Sequence, residues 1–164
     1  MNSDKSSERP ARATVFFVDV NADAPIVGKA QIGIAAPLER VWGLLADIER
    51  WPTWNPDVKS AALSGTLAPG SEFRWKSGGV NIRSQLEQVE APRAIGWTGK
   101  TIGLRARHVY RLEPHPRGTR VSSEESYEGW AALLFRNRME TTLQQALDNG
   151  LRYLKAEAER RPSP

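Results

Sequence analysis

The sequence of 164 residues contains no cysteine and only two histidines. The absence of cysteine excludes disulfide bonds, thiolate metal sites and cysteine nucleophiles. Two histidines without a cysteine form no recognisable metal-binding motif, so no metal is expected. Phosphate-binding loops and glycine-rich dinucleotide motifs are also missing, and we therefore expect no cofactor.

Long hydrophobic runs are missing as well. No apolar run approaches the roughly 20 residues that a helix needs to cross a bilayer. Near the N-terminus, the apolar run Val15–Val18 ends at Asp19 and is too short for the apolar region of a secretory signal. The sequence therefore predicts a cytoplasmic protein without membrane insertion.

Charge of one sign is not concentrated anywhere. Lysine and arginine number 23 and aspartate and glutamate 19, which gives a net charge of +4. A basic balance raises the question of nucleic acid. The basic residues of the predicted strands, however, share their outward faces with acidic ones, so we favour cross-strand ion pairs and expect no nucleic acid partner. The basic residues are Arg74, Lys76, Arg83, Arg105, Arg107 and Arg111, and the acidic ones are Glu72, Glu87, Glu113, Glu124 and Glu128.

The composition is that of one globular domain. Hydrophobic residues make up 40% and charged residues 26%, and the chain is long enough to bury a sizeable core. Residues 1–12 are polar and lack apolar periodicity, which predicts a disordered tail. Residues 13–25 are ambiguous between a short strand and an arm packed on the domain. The regular pattern begins near Ile26 and predicts a single domain over residues 26–161.

The first part of this domain predicts a strand followed by helical segments. Residues 26–34 end in strict alternation, which is typical of a half-buried strand. Pro37 suits the first position of a helix. The apolar positions that follow have amphipathic spacing and are Leu38, Val41, Trp42 and Leu45. Pro52 and Pro56 bar the helix from continuing, so a second, short helical segment is expected.

Six short strand-like runs and one long helix make up the remainder. Short connections between consecutive strands indicate an antiparallel meander. Gly129 ends the strands, and the stretch from Trp130 to about Arg160 predicts one long amphipathic helix. Because a sheet with one apolar face needs a cover, the expected fold class is α+β. We predict a seven-stranded curved antiparallel sheet wrapped around the C-terminal helix, with a hollow between them.

Four segments of the chain carry a family resemblance. They are residues 34–58 with WPTWNP, residues 67–76, residues 108–114, and residues 118–135, where ESYEG leads at once into the long helix. These segments resemble the SRPBCC superfamily, the START-related helix-grip fold, and are most similar to its polyketide cyclase/dehydrase branch. The resemblance spans roughly residues 26–158. It implies a cavity for an apolar or aromatic small molecule, but no particular reaction, because the family has no single catalytic motif.

A histidine and a carboxylate are predicted to face each other inside this cavity. His108 alternates with the inward set of the sixth strand, and Glu125 with Tyr127 on the seventh. If the HPRG loop pairs Glu113 with Arg120, then His108 faces Glu125 at about 5 Å between Cβ atoms. Such a pair acts either as a general acid or base with Glu125 orienting the ring, or as a hydrogen-bonded pair that fixes the cavity wall or binds a ligand hydroxyl.

Other candidate ligand contacts lie on inward faces and in the turn after the first helix. Trp75 and Trp97 either stack on a flat ligand or fill space. Family analogy puts the cavity mouth near Trp54 and Asn55, where Trp54 either gates the mouth or caps the core. The expected ligand-binding residues are Trp54, Asn55, Phe73, Trp75, Ile82, Trp97, Tyr110, Tyr127 and Met139.

Three functions are compatible with these features. The first is binding of a small apolar or aromatic molecule in an internal cavity, as in polyketide cyclase-like proteins. The second is a cyclase, dehydratase or hydrolase that uses His108 and Glu125 for proton transfer. The third is an interaction protein whose cavity is filled by its own side chains. The sequence leaves the ligand and the oligomeric state open.

Overall fold

The computed structural model describes residues 18–160, so the predicted tail, residues 1–12, lies outside the described residues, as does the first part of the predicted arm. The described part of the chain contains seven strands and four helices. In chain order they are β1 (Ile26–Ile34), α1 (Leu38–Ala46), a 3-10 turn (Ile48–Arg50), α2 (Trp51–Trp54), β2 (Val58–Leu63), β3 (Glu72–Ser77), β4 (Val80–Glu90), β5 (Ala94–Thr101), β6 (Leu104–His115), β7 (Gly118–Glu128), α3 (Trp130–Leu134) and α4 (Arg136–Glu159).

All seven strands form one antiparallel sheet in the order β1-β7-β6-β5-β4-β3-β2. Strands β2 to β7 pair with their neighbours in sequence, because the turns between them are short, and β1 completes the sheet beside β7. The sheet curves around α4, which buries one face against it through Leu143, Leu147, Leu151 and Leu154. The predicted α+β class, the seven strands and the short helices after the first strand are confirmed.

The C-terminal helix departs from the prediction at one point. The sequence predicts one helix from Trp130, but the structure divides it at Phe135 into α3 and α4. Phe135 has φ −113° and ψ 28°, so the chain turns a corner there. The apolar run WAALLF conceals this corner, because hydrophobic residues are equally compatible with one helix or two. As a result Leu133 and Leu134 are exposed instead of continuing the buried face of α4.

Trp51, the first residue of α2, lies at the centre of an aromatic cluster. Its ring lies edge-on to Phe73 and to Trp75, with centroids 5.7 Å apart in both pairs. Its indole N–H donates to the carbonyl of Leu45 at 3.1 Å. Phe73 also lies edge-on to Trp97, at 5.8 Å. Each such contact contributes about 0.5–1.5 kcal/mol beyond area burial, and the cluster forms a rigid end wall for the space between sheet and helix.

Strand β1 crosses α4 at Gly28, where the two elements approach closely. A Cβ atom here would lie 2.8 Å from Cδ1 of Leu147 and 3.0 Å from Cγ of Leu143. A Gly28→Ala substitution is therefore expected to lower the free energy of unfolding by about 1–3 kcal/mol, the usual cost of overpacking. Urea denaturation measures the change. The control is Gly33→Ala on the same strand, where no atom lies within 4 Å; equal losses in both variants would refute the packing explanation.

The outward face of the sheet carries the described part of the N-terminal segment and several ion pairs. The backbone N–H of Val18 donates to Gln88 at 3.0 Å, and that of Asn21 donates to Ser126 at 3.1 Å. These contacts cover Gln88 and Ser126, which are buried although they lie on the outward face. The ion pairs are Lys29–Glu124, Arg83–Glu72, Arg107–Glu87, Arg111–Glu124 and Arg120–Glu113.

Candidate ligand-binding site

A cavity of about 720 Å³ lies between the concave face of the sheet and α4. It is open because α4 packs tightly against β1 at one edge of the sheet, and no side chain of residues 18–160 fills the space over the central strands. Val80 at the start of β4, Ile102 in the β5–β6 turn and Phe135 at the α3–α4 corner line the cavity and are also exposed. The cavity therefore opens between these three segments. An open cavity argues against the hypothesis of an interaction protein whose cavity is filled by its own side chains.

Nearly all the site residues predicted from the sequence line this cavity. They are Trp54, Asn55, Trp75, Ile82, Trp97, His108, Tyr110, Glu125, Tyr127 and Met139. The exception is Phe73, which is fully buried and separated from the cavity by Trp51 and Trp97. Strand alternation places Phe73 on the inward face but carries no information about depth. Phe73 is thus part of the aromatic core and does not line the cavity.

His108 and Glu125 meet on the inner wall of the cavity. The register makes them direct partners on β6 and β7, as the HPRG loop indicates. Nδ1 of His108 lies 3.3 Å from Oε2 of Glu125, and the two side chains are only 9% and 13% exposed. Because little water reaches the pair, the interaction is screened less than an ion pair on the surface.

The other ring nitrogen of His108 forms a hydrogen bond with Ser123. Its Oγ lies 2.7 Å from Nε2, and Ser123 itself is fully buried. Both nitrogens of His108 therefore have protein partners. Glu125 lines the cavity and uses Oε2 for this pairing, and within residues 18–160 no hydrogen bond occupies its Oε1. Glu125 therefore presents to the cavity a carboxylate oxygen without a hydrogen-bond partner among the described residues, whereas both ring nitrogens of His108 are engaged.

Trp97, His108 and Tyr110 form a compact cluster in which each ring contacts the other two. The centroid of His108 lies 4.7 Å from that of Trp97 and 4.7 Å from that of Tyr110. This follows from the register, because Trp97 is directly opposite His108 and Tyr110 is two residues further along the same face. The cluster restricts the imidazole ring and gives the cavity an aromatic wall.

Two tyrosine hydroxyls share the cavity with Glu125. Burial raises the pKa of Tyr110 from 10.0 to about 12; a hydrogen bond with Ser123 lowers this pKa, and the charge of Glu125 raises it further. Burial, followed by the charge of Glu125, also raises the pKa of Tyr127. Both hydroxyls therefore stay protonated at neutral pH and can donate a hydrogen bond.

Neither hydroxyl is expected to ionise in the folded protein below about pH 11. The near-ultraviolet tyrosinate absorbance should therefore titrate alike in the wild type and in Tyr110→Phe and Tyr127→Phe variants over this range. In the unfolded chain both tyrosines ionise near pH 10, so the native state loses stability as the pH rises above about 10, and each variant loses less. A smaller tyrosinate signal near pH 10 in a folded variant would show that the replaced hydroxyl is accessible to water.

The turn after α2 contributes to the cavity near its opening. Trp54 and Asn55 both line the cavity, and Trp54 also packs against the core. The indole N–H of Trp54 is buried and has no acceptor among the described residues. An unpaired buried donor costs about 1–3 kcal/mol. It is therefore a polar group that a ligand acceptor could satisfy.

Several cavity residues escaped the sequence reasoning. Trp51 lies in the expected short helical segment, which is too short for apolar spacing to show which way its side chains face. Ile102 lies in a turn, and Phe135 lies within a run that predicts continuous helix. Gly150 lines the cavity from α4, with an ideal Cβ 3.6 Å from the Tyr110 hydroxyl. A glycine on the apolar face of a long helix could have indicated this, because glycine destabilises a helix and is expected there mainly where a side chain would fill needed space.

Neither a metal centre nor a membrane span is found in the described part of the chain. Residues 18–160 contain no group of three or more histidine, aspartate or glutamate side chains that could hold a metal ion. None of their helices is both long and apolar enough to cross a membrane.

The fold and the cavity define a helix-grip domain, in which a curved antiparallel sheet surrounds a long helix and encloses a space of ligand size. The chain belongs to the family described as polyketide cyclase / dehydrase and lipid transport, whose model matches residues 26–159. The resemblance to the SRPBCC superfamily and its polyketide cyclase/dehydrase branch is therefore confirmed. No curated protein matches the chain.

Solved structures share the same fold at low sequence identity. A hypothetical protein from Helicobacter pylori has a TM-score of 0.76 and 14% identity, with coverage of 90% of this chain and 100% of that one. A START superfamily protein from Mycobacterium smegmatis has a TM-score of 0.68 and 16% identity, with coverage of 81% and 97%. The di-domain ARO/CYC BexL from the BE-7585A biosynthetic pathway has a TM-score of 0.70 and 20% identity; the match covers 84% of this chain and 51% of BexL. This chain thus spans about half of that two-domain protein.

Proposed function

We propose that this protein binds a small apolar or aromatic molecule in the cavity between the sheet and α4. The observation that carries the proposal is an open space of about 720 Å³ with a largely apolar, aromatic wall and a few buried polar groups. Binding sites for small molecules typically have volumes of about 300–1,000 Å³ and this composition. The family description, which includes cyclases and lipid transport, supports a role in handling such molecules.

The polar groups favour a ligand that carries a hydroxyl. Glu125 offers a carboxylate oxygen as an acceptor, and Tyr127 offers a protonated hydroxyl as a donor. A ligand hydroxyl can donate to the first and accept from the second. The flat rings of Trp75 and Trp97 favour an aromatic body over a flexible chain. We therefore propose that the ligand binds with its polar end toward Glu125 and its apolar body toward the tryptophans.

A second candidate function is proton transfer catalysed at Glu125, as in a cyclase, dehydratase or hydrolase. The specific support is the pairing of Glu125 with His108, whose other nitrogen is held by Ser123. Glu125 would touch the substrate and accept the proton, and His108 would position the carboxylate. Ser123 is not suited to act as a nucleophile, because it is fully buried and does not line the cavity.

Native mass spectrometry of the purified protein, followed by denaturing extraction, tests the binding proposal. We expect a co-purifying apolar molecule or, in ligand-free protein, saturable binding of the neutral probe N-phenyl-1-naphthylamine. Protein that is empty and does not bind the probe would overturn the proposal. Incubation of an extracted molecule with the wild type and with Glu125→Gln separates carrier from enzyme: conversion only by the wild type, with an affinity in the variant that is at most about tenfold weaker, would favour the enzyme.

A further inference from the structure

The large apolar side chains that remain exposed within residues 18–160 gather at the cavity mouth. They are Val80, Ile102, Trp130, Leu133, Leu134 and Phe135, with exposures from 45% to 89%. In the antiparallel meander, the β3–β4 turn, the β5–β6 turn and the end of β7 lie at the same end of the sheet. These six residues, here called the apolar rim, therefore form one surface, and three of them also line the cavity. A patch of this kind on a soluble domain commonly marks an interaction site.

Contacts within the fold hold the α3 part of the apolar rim in place. The backbone N–H of Ala131 donates to the carbonyl of Gly103 at 3.1 Å, which fastens α3 to the β5–β6 turn. The indole of Trp130 lies against Gly103 so closely that a side chain at this position would collide with it. These contacts fix α3 in an orientation that leaves Leu133 and Leu134 each 68% exposed.

The border of the apolar rim is positively charged. Along the chain, five basic residues and one carboxylate lie within three positions of a rim residue. The basic residues are Arg83, Lys100, Arg105, Arg136 and Arg138, and the carboxylate is Glu128; the ion pair of Arg83 with Glu72 leaves four basic residues against this carboxylate. Glu128 also accepts a hydrogen bond from the side chain of Asn21. A partner for this surface must therefore be apolar at its centre and negatively charged around it.

We infer that the apolar rim docks the cavity mouth onto an anionic lipid surface. Tryptophan and leucine enter the boundary between headgroups and acyl chains, and arginine and lysine bind anionic headgroups. A twofold dimer through the same surface would bring one basic border against another, which disfavours a second copy as the occupant. Docking in this orientation would let an apolar ligand pass between bilayer and cavity; only this last step rests on the proposed function.

Vesicle flotation of the full chain tests the docking. The wild type is expected to float with vesicles of equal parts phosphatidylcholine and phosphatidylglycerol, and to release them as salt is added. A Leu133→Ser/Leu134→Ser variant should bind at least about tenfold more weakly, because two apolar anchors are lost. Arg105→Glu/Arg136→Glu should also bind at least about tenfold more weakly. The control Arg93→Glu/Arg117→Glu makes the same charge change in turns at the opposite end of the sheet and should bind like the wild type.

None of these six residues lines the cavity, so binding of N-phenyl-1-naphthylamine should be unchanged in all three variants. Loss of vesicle binding with retained probe binding therefore supports the docking, and a protein that docks without binding the probe overturns only the proposed function. A wild type that does not float, or rim variants that float equally well, would overturn the docking. So would a concentration-dependent dimer that the leucine variant abolishes, because the rim would then bind a second copy.

Discussion

Replacing Gly150 with leucine is expected to lower the affinity for N-phenyl-1-naphthylamine by at least about 100-fold, or about 2.8 kcal/mol. Gly150 is buried on the face of α4 that lines the cavity, and its ideal Cβ lies 3.6 Å from the Tyr110 hydroxyl. The added side chain must therefore project into the space that a ligand would occupy. The fold should survive, because leucine favours helix over glycine by up to about 1 kcal/mol and enters open space. Fluorescence titration measures the affinity.

The matched control is Gly150→Ala. It makes the same change in helix propensity, but its single methyl group reaches only ordinary contact distance from Tyr110. We expect the free energy of unfolding to rise by about 0.5–1 kcal/mol and the probe to bind almost as in the wild type. If Gly150→Leu bound the probe normally, the probe would be occupying another surface, with the apolar rim as the first candidate. The cavity would then lose its support as the binding site.

The pairing of His108 with Glu125 could be predicted from the sequence because strands have a period of two and the HPRG loop limits the register. Alternation assigns each residue to a face, and the loop length assigns the partners across β6 and β7. The same argument applies to Tyr110 and Ser123, which are also opposite each other. Local rules of this kind act over a few residues, so a single sequence is enough to apply them.

The roles within the site could not be predicted in this way. The two nitrogens of His108 are divided between Glu125 and Ser123 by side-chain rotamers, which the period of a strand does not determine. Depth is also invisible to alternation, so Phe73 resembles Trp75 in the sequence although only Trp75 reaches the cavity. Depth depends on what crosses in front of a strand, and here Trp51 arrives from a short helix whose side-chain directions the sequence does not determine.

The exposure of the apolar rim could not be predicted from the sequence either. The residues of WAALLF resemble core residues, because apolar spacing does not distinguish a helix that packs on the sheet from one that ends beside it. The corner at Phe135 is a tertiary feature: α3 is held by Gly103, which lies on a distant part of the chain. Exposed hydrophobic residues of this kind therefore appear as ordinary core in the sequence and are recognised only when the fold is known.

Substitution of Glu125 by leucine is expected to abolish a preference of the cavity for 2-naphthol over naphthalene. In the wild type this preference should be about tenfold or more, because a hydrogen bond to a charged group contributes about 1.5–3 kcal/mol. The two probes differ only in the hydroxyl, so their ratio isolates the polar contact from the burial of the rings. Displacement of N-phenyl-1-naphthylamine measures both affinities. Glu125→Gln keeps an acceptor without the charge, and should retain a preference of a few fold.

His108→Phe separates positioning from packing in the same assay. The phenyl ring can keep the contacts with Trp97 and Tyr110 but cannot pair with Glu125. If His108 positions the carboxylate, the preference for 2-naphthol should fall while the affinity for naphthalene is kept. Equal losses for both probes would mean that His108 only supports the cavity wall. A preference that persists in Glu125→Leu would show that another donor or acceptor, with Tyr127 the nearest candidate in the cavity, binds the hydroxyl in its place.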